Sequence, residues 1–162
     1  MAWKFIEQEI GLQPITDIET TAQHPLGKIA RAEEPTYGHG EFIYLQGVAS
    51  TGVGDIVEYN SAFQTGKASI AVTASEPLAV AMSACTASYY GWYQISGYAT
   101  VSKASATSFA ADAAFGATSG EAVAAVSGLF VHHGAVVSAA SGASAVVTAL
   151  VMINRPAGPG AT

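Results

Sequence analysis

The chain has 162 residues, half of them hydrophobic, with 12 acidic against 6 basic residues and a formal net charge of -6. Its few Lys and Arg are scattered, which argues against direct nucleic-acid binding, since that requires clustered positive charge to replace phosphate counterions. A single domain of this length buries about 70% of its extended surface and needs no disulfide or metal staple; the only cysteine, Cys85 in AMSACTAS, reads as a buried, inert thiol.

Residues 1–36 set isolated apolar residues (Trp3, Phe5, Ile6, Ile10, Leu12, Ile15, Ile18) among Gly11, Pro14, Pro25 and Pro35. Neither a helical nor a strand period persists; FIEQEIG suits a short helix that Gly11 and Pro14 stop. No basic region precedes an apolar core, so the start is not read as a secretory signal, and synthesis in the cytoplasm is expected. The segment reads as an extended arm lying on its own body, a sister subunit or a larger surface. Trp3 and Phe5, with Ile6, Ile10 and Leu12, are its candidate contact residues, because aromatic side chains supply the most contact area per residue.

From 38 to 101 the pattern is strand and turn. GEFIYLQGV and YGWYQISGYATV are aromatic-rich alternating runs bounded by glycine, and both read as strands. Phe42 and Tyr44 oppose Ile43 and Leu45; Tyr90, Trp92, Gln94 and Ser96 oppose Tyr93 and Ile95. A strand apolar on both faces is covered on both faces. Between them come a turn at ASTGVGD, a strand IVEYN, a turn at SAFQTGK, a strand in ASIAVTA, a turn at Glu76 and Pro77, and a strand in LAVAMSA. From 102 to 154 the abundant alanine favours helix, but Gly116, Gly120, Gly128, Gly134 and Gly142 interrupt every helix-length window, so further strands are expected. RPAGPGAT closes the chain as a Pro/Gly tail. The organisation is a 1–36 arm, a 37–154 β-rich body and a 155–162 tail, in an all-β sandwich or barrel-like fold. The most apolar tract, AVVTALVMI, falls short of the ~20 residues a membrane helix needs.

Charge is unevenly distributed: residues 77–154 carry only Lys103, Asp112 and Glu121. Ordinary soluble surfaces are about a quarter to a third charged, and this stretch is too hydrophobic for disorder. Its outer surface is therefore expected to be hidden against other copies or another protein. Trp92, Tyr93, Val146 and Leu150 are candidates for that interface or for the core.

Chemistry-bearing patterns are weak. His132 and His133 are adjacent, and on a strand they point to opposite faces and cannot chelate one metal together. His24 and His39 read as turn residues. YGHGEF and TGVGDIV lack the following helix and the Lys-Ser/Thr of a phosphate loop, and no Ser sits in a G-x-S-x-G elbow. Asp55 and Glu58 read as solvated turn carboxylates, too few for a calcium site. No catalytic residue, metal ligand or cofactor is assigned.

The phrases HPLG, YGHGEFIYLQG, GDIVEYN and YGWYQISG, within Thr20–Asn60 and Ala79–Val101, resemble the capsid decoration, or cement, proteins of tailed bacteriophages. The remainder agrees with them only in composition. The resemblance implies a non-enzymatic, β-rich virion protein on the capsid outer surface. Such a protein binds the shell of major capsid protein, commonly as a homotrimer, and stabilises the expanded head; under that reading the arm residues Trp3, Phe5, Ile6, Ile10 and Leu12 are the candidate capsid contact, with Trp3 and Phe5 as its anchors. The alternatives are a carbohydrate- or cell-surface-binding module using Tyr89, Tyr90 or Tyr98 as sugar platforms, a tail or connector subunit, and a small metal-dependent oxygenase in which the histidines converge.

Overall fold

A computed structural model describes residues 1–6, 11–47, 50–69, 76–126, 130–139 and 147–158. The fold is all-β. In chain order the strands are β1 (Lys4–Phe5), β2 (Ile29–Glu34), β3 (Gly38–Gln46), β4 (Ile56–Tyr59), β5 (Thr65–Lys67), β6 (Leu78–Ala81), β7 (Tyr90–Ser102), β8 (Phe115–Thr118), β9 (Glu121–Ala124), β10 (His132–Val136) and β11 (Thr148–Ala157). A large antiparallel sheet runs β1-β2-β3-β7-β6-β4-β5, with β11 also paired to β7 and β10 to β11; β8 and β9 form a second, two-stranded sheet.

The 13-residue β7 is the hub. Its first half pairs with β3, from Gln46↔Tyr90 to Glu41↔Ser96, and its second half with β11, from Asn154↔Ser96 to Thr148↔Ser102. The halves meet at a bulge, where Phe42 pairs with Gln94 and the next residue, Glu41, pairs with Ser96. An extra residue of this kind bends a strand and re-aims its side chains. Gly97 follows at a φ of 98°. The buried Gln94 fastens the bend, its amide donating to the carbonyls of Ser96 at 3.0 Å and Tyr98 at 2.9 Å.

Three apolar clusters result. Ile43, Leu45, Tyr93 and Ile95 pack on Val57, Ala79 and Ala81 on one face of β3 and β7. Phe42, Tyr44 and Trp92 occupy the other face with Ala30 and Ala32 of β2. The third cluster joins Val80, Ala99, Val101, Val151 and Ile153 to Phe115 and Ala122 of the small sheet. The alternation of the two aromatic strands thus decides the layers: each face found its own cover.

What covers Phe42, Tyr44 and Trp92 is the N-terminal segment. Trp3 meets Phe42 edge-on with ring centroids 5.3 Å apart, and Phe5 meets Trp92 likewise at 5.3 Å. Leu12 and the buried Ile15 pack on the same cluster. The buried Gln13 accepts the Tyr44 hydroxyl at 2.7 Å through its side chain and the Trp92 indole N–H at 2.9 Å through its carbonyl. Buried tyrosine and tryptophan usually find such partners for their polar ends. Glu19 and Tyr90 exchange backbone hydrogen bonds of 3.0 and 2.9 Å.

The boundaries expected from sequence shift accordingly. Residues 29–34 are a strand paired along its length to β3 rather than arm; their inward residues are Ala30, Ala32 and Glu34, which give no apolar alternation to read in the sequence. Thr65–Lys67, read as turn, is the edge strand β5, held by its pairing to β4. Residues 155–157, read as tail, complete β11. The strand expected in ASIAVTA lies largely outside the described residues, as do most of FIEQEIG and the contact candidate Ile10.

Candidate interaction surface

The second half of β7 and β11 have one face in the core and one turned out. Ala99, Val101, Ala149, Val151 and Ile153 face in. Their alternates form paired rows on the outer face: Ser102, Thr100, Tyr98 and Ser96 opposite Thr148, Leu150, Met152 and Asn154. Ala135 of β10 extends the row beyond Met152. None of these outward residues is charged. Apolar side chains stand in the open along this face. Met152 is 52% exposed, Val147 at its end is 59% exposed, and Val53 is 65% exposed. Val53 accepts the Ser102 hydroxyl at 3.3 Å through its carbonyl. Tyr98 carries Tyr37 against it, centroids 5.4 Å apart. A charge-free, partly apolar strand face is a candidate interaction surface.

At the bend this face runs into a pocket of about 670 Å³ lined by Arg31, His39, Glu41, Ser96, Asn154 and Arg155, among others. Ser96 pairs with Glu41 on β3 and with Asn154 on β11. The Glu41 carboxylate is shared by two guanidiniums, Arg155 Nη2 at 3.0 Å and Arg31 Nε at 3.5 Å. Strict alternation would turn Arg155 inward after Asn154. Instead its backbone adopts a φ of 49°, and both residues are exposed. For a non-glycine residue before a proline this left-handed conformation is disfavoured and costs about 1–3 kcal/mol. The ion pair it makes is solvent-exposed on the arginine side, at 59%, and such pairs return about 0–1 kcal/mol.

The sequence-derived candidates fall in several places. Trp3, Phe5 and Leu12, expected as capsid contacts of the arm, are packed against the protein's own sheet; among the described candidates Ile6 is the one that is exposed, at 41%. Trp92 and Tyr93 are core on opposite faces of β7. Leu150 lies on the outer face of β11, and Val146 lies outside the described residues. Tyr90 stacks on Tyr44 at 6.5 Å and Tyr89 packs against a core cluster, so of the three tyrosines read as sugar platforms only Tyr98 belongs to the outer face.

The chemical groups are placed as follows. Asp55, read as solvated, is buried and paired: its Oδ2 accepts the Gly52 N–H and the Lys67 ammonium, each at 2.9 Å. Glu58 lies near Glu76, and burial first, then that neighbouring charge, raises its carboxyl above the ordinary range. Burial also pushes the Cys85 thiol up, the direction that suppresses thiolate reactivity. His24 is not a simple turn residue; its ring packs on Tyr44 and Trp92, and its Nε2 accepts the Gln13 N–H at 3.1 Å. The rings of His132 and His133 are 6.4 Å apart because His133 adopts a φ of 58° at a register shift, so regular alternation does not apply to them. Among the described residues no three His, Cys, Asp or Glu side chains gather as a metal site, and no helix is long and apolar enough to cross a membrane.

The outer face was half visible in the charge-poor composition of its strands. The Arg31–Glu41–Arg155 pocket was not: its members are spread from residue 31 to residue 155, and no local motif joins them. Comparison of the chain with protein-family models, curated proteins and solved structures finds no match.

Proposed function

We propose that the chain is a structural subunit that works by adhesion, a capsid-stabilising decoration protein that assembles with copies of itself and seats on the outer surface of a shell of major capsid protein. The observation that carries the reading is the uncharged outer face of β7 and β11, where Met152 is exposed and Leu150 and Tyr98 are partly exposed on strands whose other face lies in the core. Covering that face releases water from apolar surface at about 25 cal/mol per Å² and strands no charge. The resemblance in YGHGEFIYLQG and YGWYQISG supports the capsid assignment, and these phrases fall on the paired strands β3 and β7.

In this reading oligomerisation multiplies weak shell contacts, since each added subunit binds at the high effective concentration set by the first. The reading assigns the protein no catalytic step. The test is co-sedimentation of the purified protein with expanded phage heads stripped of it. Saturable binding, with a rise in the temperature at which the heads release DNA, is expected; absence of binding at micromolar protein contradicts the capsid assignment.

A further inference from the structure

We infer that the pocket between Arg31 and Arg155 is a carboxylate socket, filled in the assembled protein by an acidic side chain of a second copy of this chain. The inference rests on the proposed self-association and deepens it.

The first argument is aim. Arg155 lies in the register shift between β10 and β11, where Ile153 pairs with Gly134 and Ala157 with His132, and its left-handed φ of 49° before the buried Pro156 turns its guanidinium out towards Glu41. Bulges of this kind re-aim side chains at functional sites.

The second argument is charge. Among the described residues two guanidiniums share one carboxylate, leaving one positive charge in excess, and each guanidinium has further N–H donors to offer. The pocket opens onto the uncharged face through Ser96 and Asn154, which belong to both. A partner that reaches from the face over the pocket has to bring a second carboxylate, because closing the pocket without one would bury an unpaired cation. A bidentate carboxylate matches the guanidinium fork. The chain itself is rich in donors of that group, with 12 acidic residues against 6 basic. In a cyclic trimer the interface is heterologous, so the face and pocket of one copy meet a different patch of the next. The socket then fixes register where the featureless apolar face alone cannot.

The test is the self-association constant by sedimentation equilibrium for the full chain and three variants. The double variant Arg31→Ala with Arg155→Ala is expected to weaken association by about tenfold or more, whereas Arg155→Lys, which keeps the charge, loses less. Association of the unaltered chain is expected to weaken as salt rises from about 0.05 to about 0.5 M. Met152→Lys separates the two claims. If it abolishes association while the double arginine variant, folded by near-ultraviolet circular dichroism, associates normally, the socket is overturned and the face stands. If the arginine variant weakens association and Met152→Lys does not, the socket stands and the face is wrong. A salt-independent constant overturns the socket without any variant. A chain that stays at 16.4 kDa throughout overturns both.

Discussion

A methyl group added at Gly97 would lie 2.7 Å from the carbonyl oxygen of His39, on a backbone already at a φ of 98°. Gly97→Ala therefore meets steric clash and strain together, and a loss of about 2 kcal/mol or more in denaturant unfolding is expected; an unchanged midpoint would remove the bend from the account. Gln94 secures the same bend, and Gln94→Leu would leave the carbonyls of Ser96 and Tyr98 without its amide, a loss of about 2 kcal/mol. Glu34 gives a pH signature. Burial alone would raise its carboxyl, but the backbone N–H groups of Thr36, Tyr37 and Ala2 and the nearby chain amine outweigh burial and hold it below its ordinary 4.5. A carboxylate depressed in the folded state stabilises above its unfolded value, and that contribution fades as pH falls through the folded one. The stability gap between the unaltered chain and Glu34→Gln should be full near neutrality and close below about pH 4. A gap that is constant between about pH 7 and about pH 3 would contradict the arrangement.

At the scale of elements, the N-terminal segment is a lid rather than a free arm. Phe5→Ala removes a half-buried ring from Trp92, and a loss of about 2 kcal/mol is expected, below the range for fully buried aromatics. Deleting residues 1–19 should uncover Phe42, Tyr44 and Trp92 and raise binding of a hydrophobic dye; a truncated chain as stable and dye-silent as the whole would show that the cover is dispensable. The sequence already named the surface that needed covering, because a period of two in GEFIYLQG and YGWYQISG places large apolar groups on both sides. It could not name the cover. Trp3, Phe5 and Leu12 follow no period, and their partners lie far away in sequence. Strand β2 escaped because its buried positions are alanines, and β5 because its residues, Thr65, Gly66 and Lys67, carry no apolar signal at all. Arg155 looked like tail because the sign of a φ angle before proline leaves no trace in composition.

At the scale of the molecule, charge and apolar exposure separate. The arm end of the large sheet carries Lys4, Arg31, Glu33 and Glu41, whereas the outer rows of β7 and β11 carry none. The proposed self-assembly through the uncharged face, with the arginine pocket at its margin, uses that separation. The most direct test is the mass of the chain by light scattering at low micromolar concentration, beside Met152→Lys. The account predicts a stable multiple of 16.4 kDa, three copies being the number the family resemblance implies, and a shift to the single-chain mass in the variant. A chain that scatters as one copy at every concentration, or a variant that assembles as well as the parent, would contradict it.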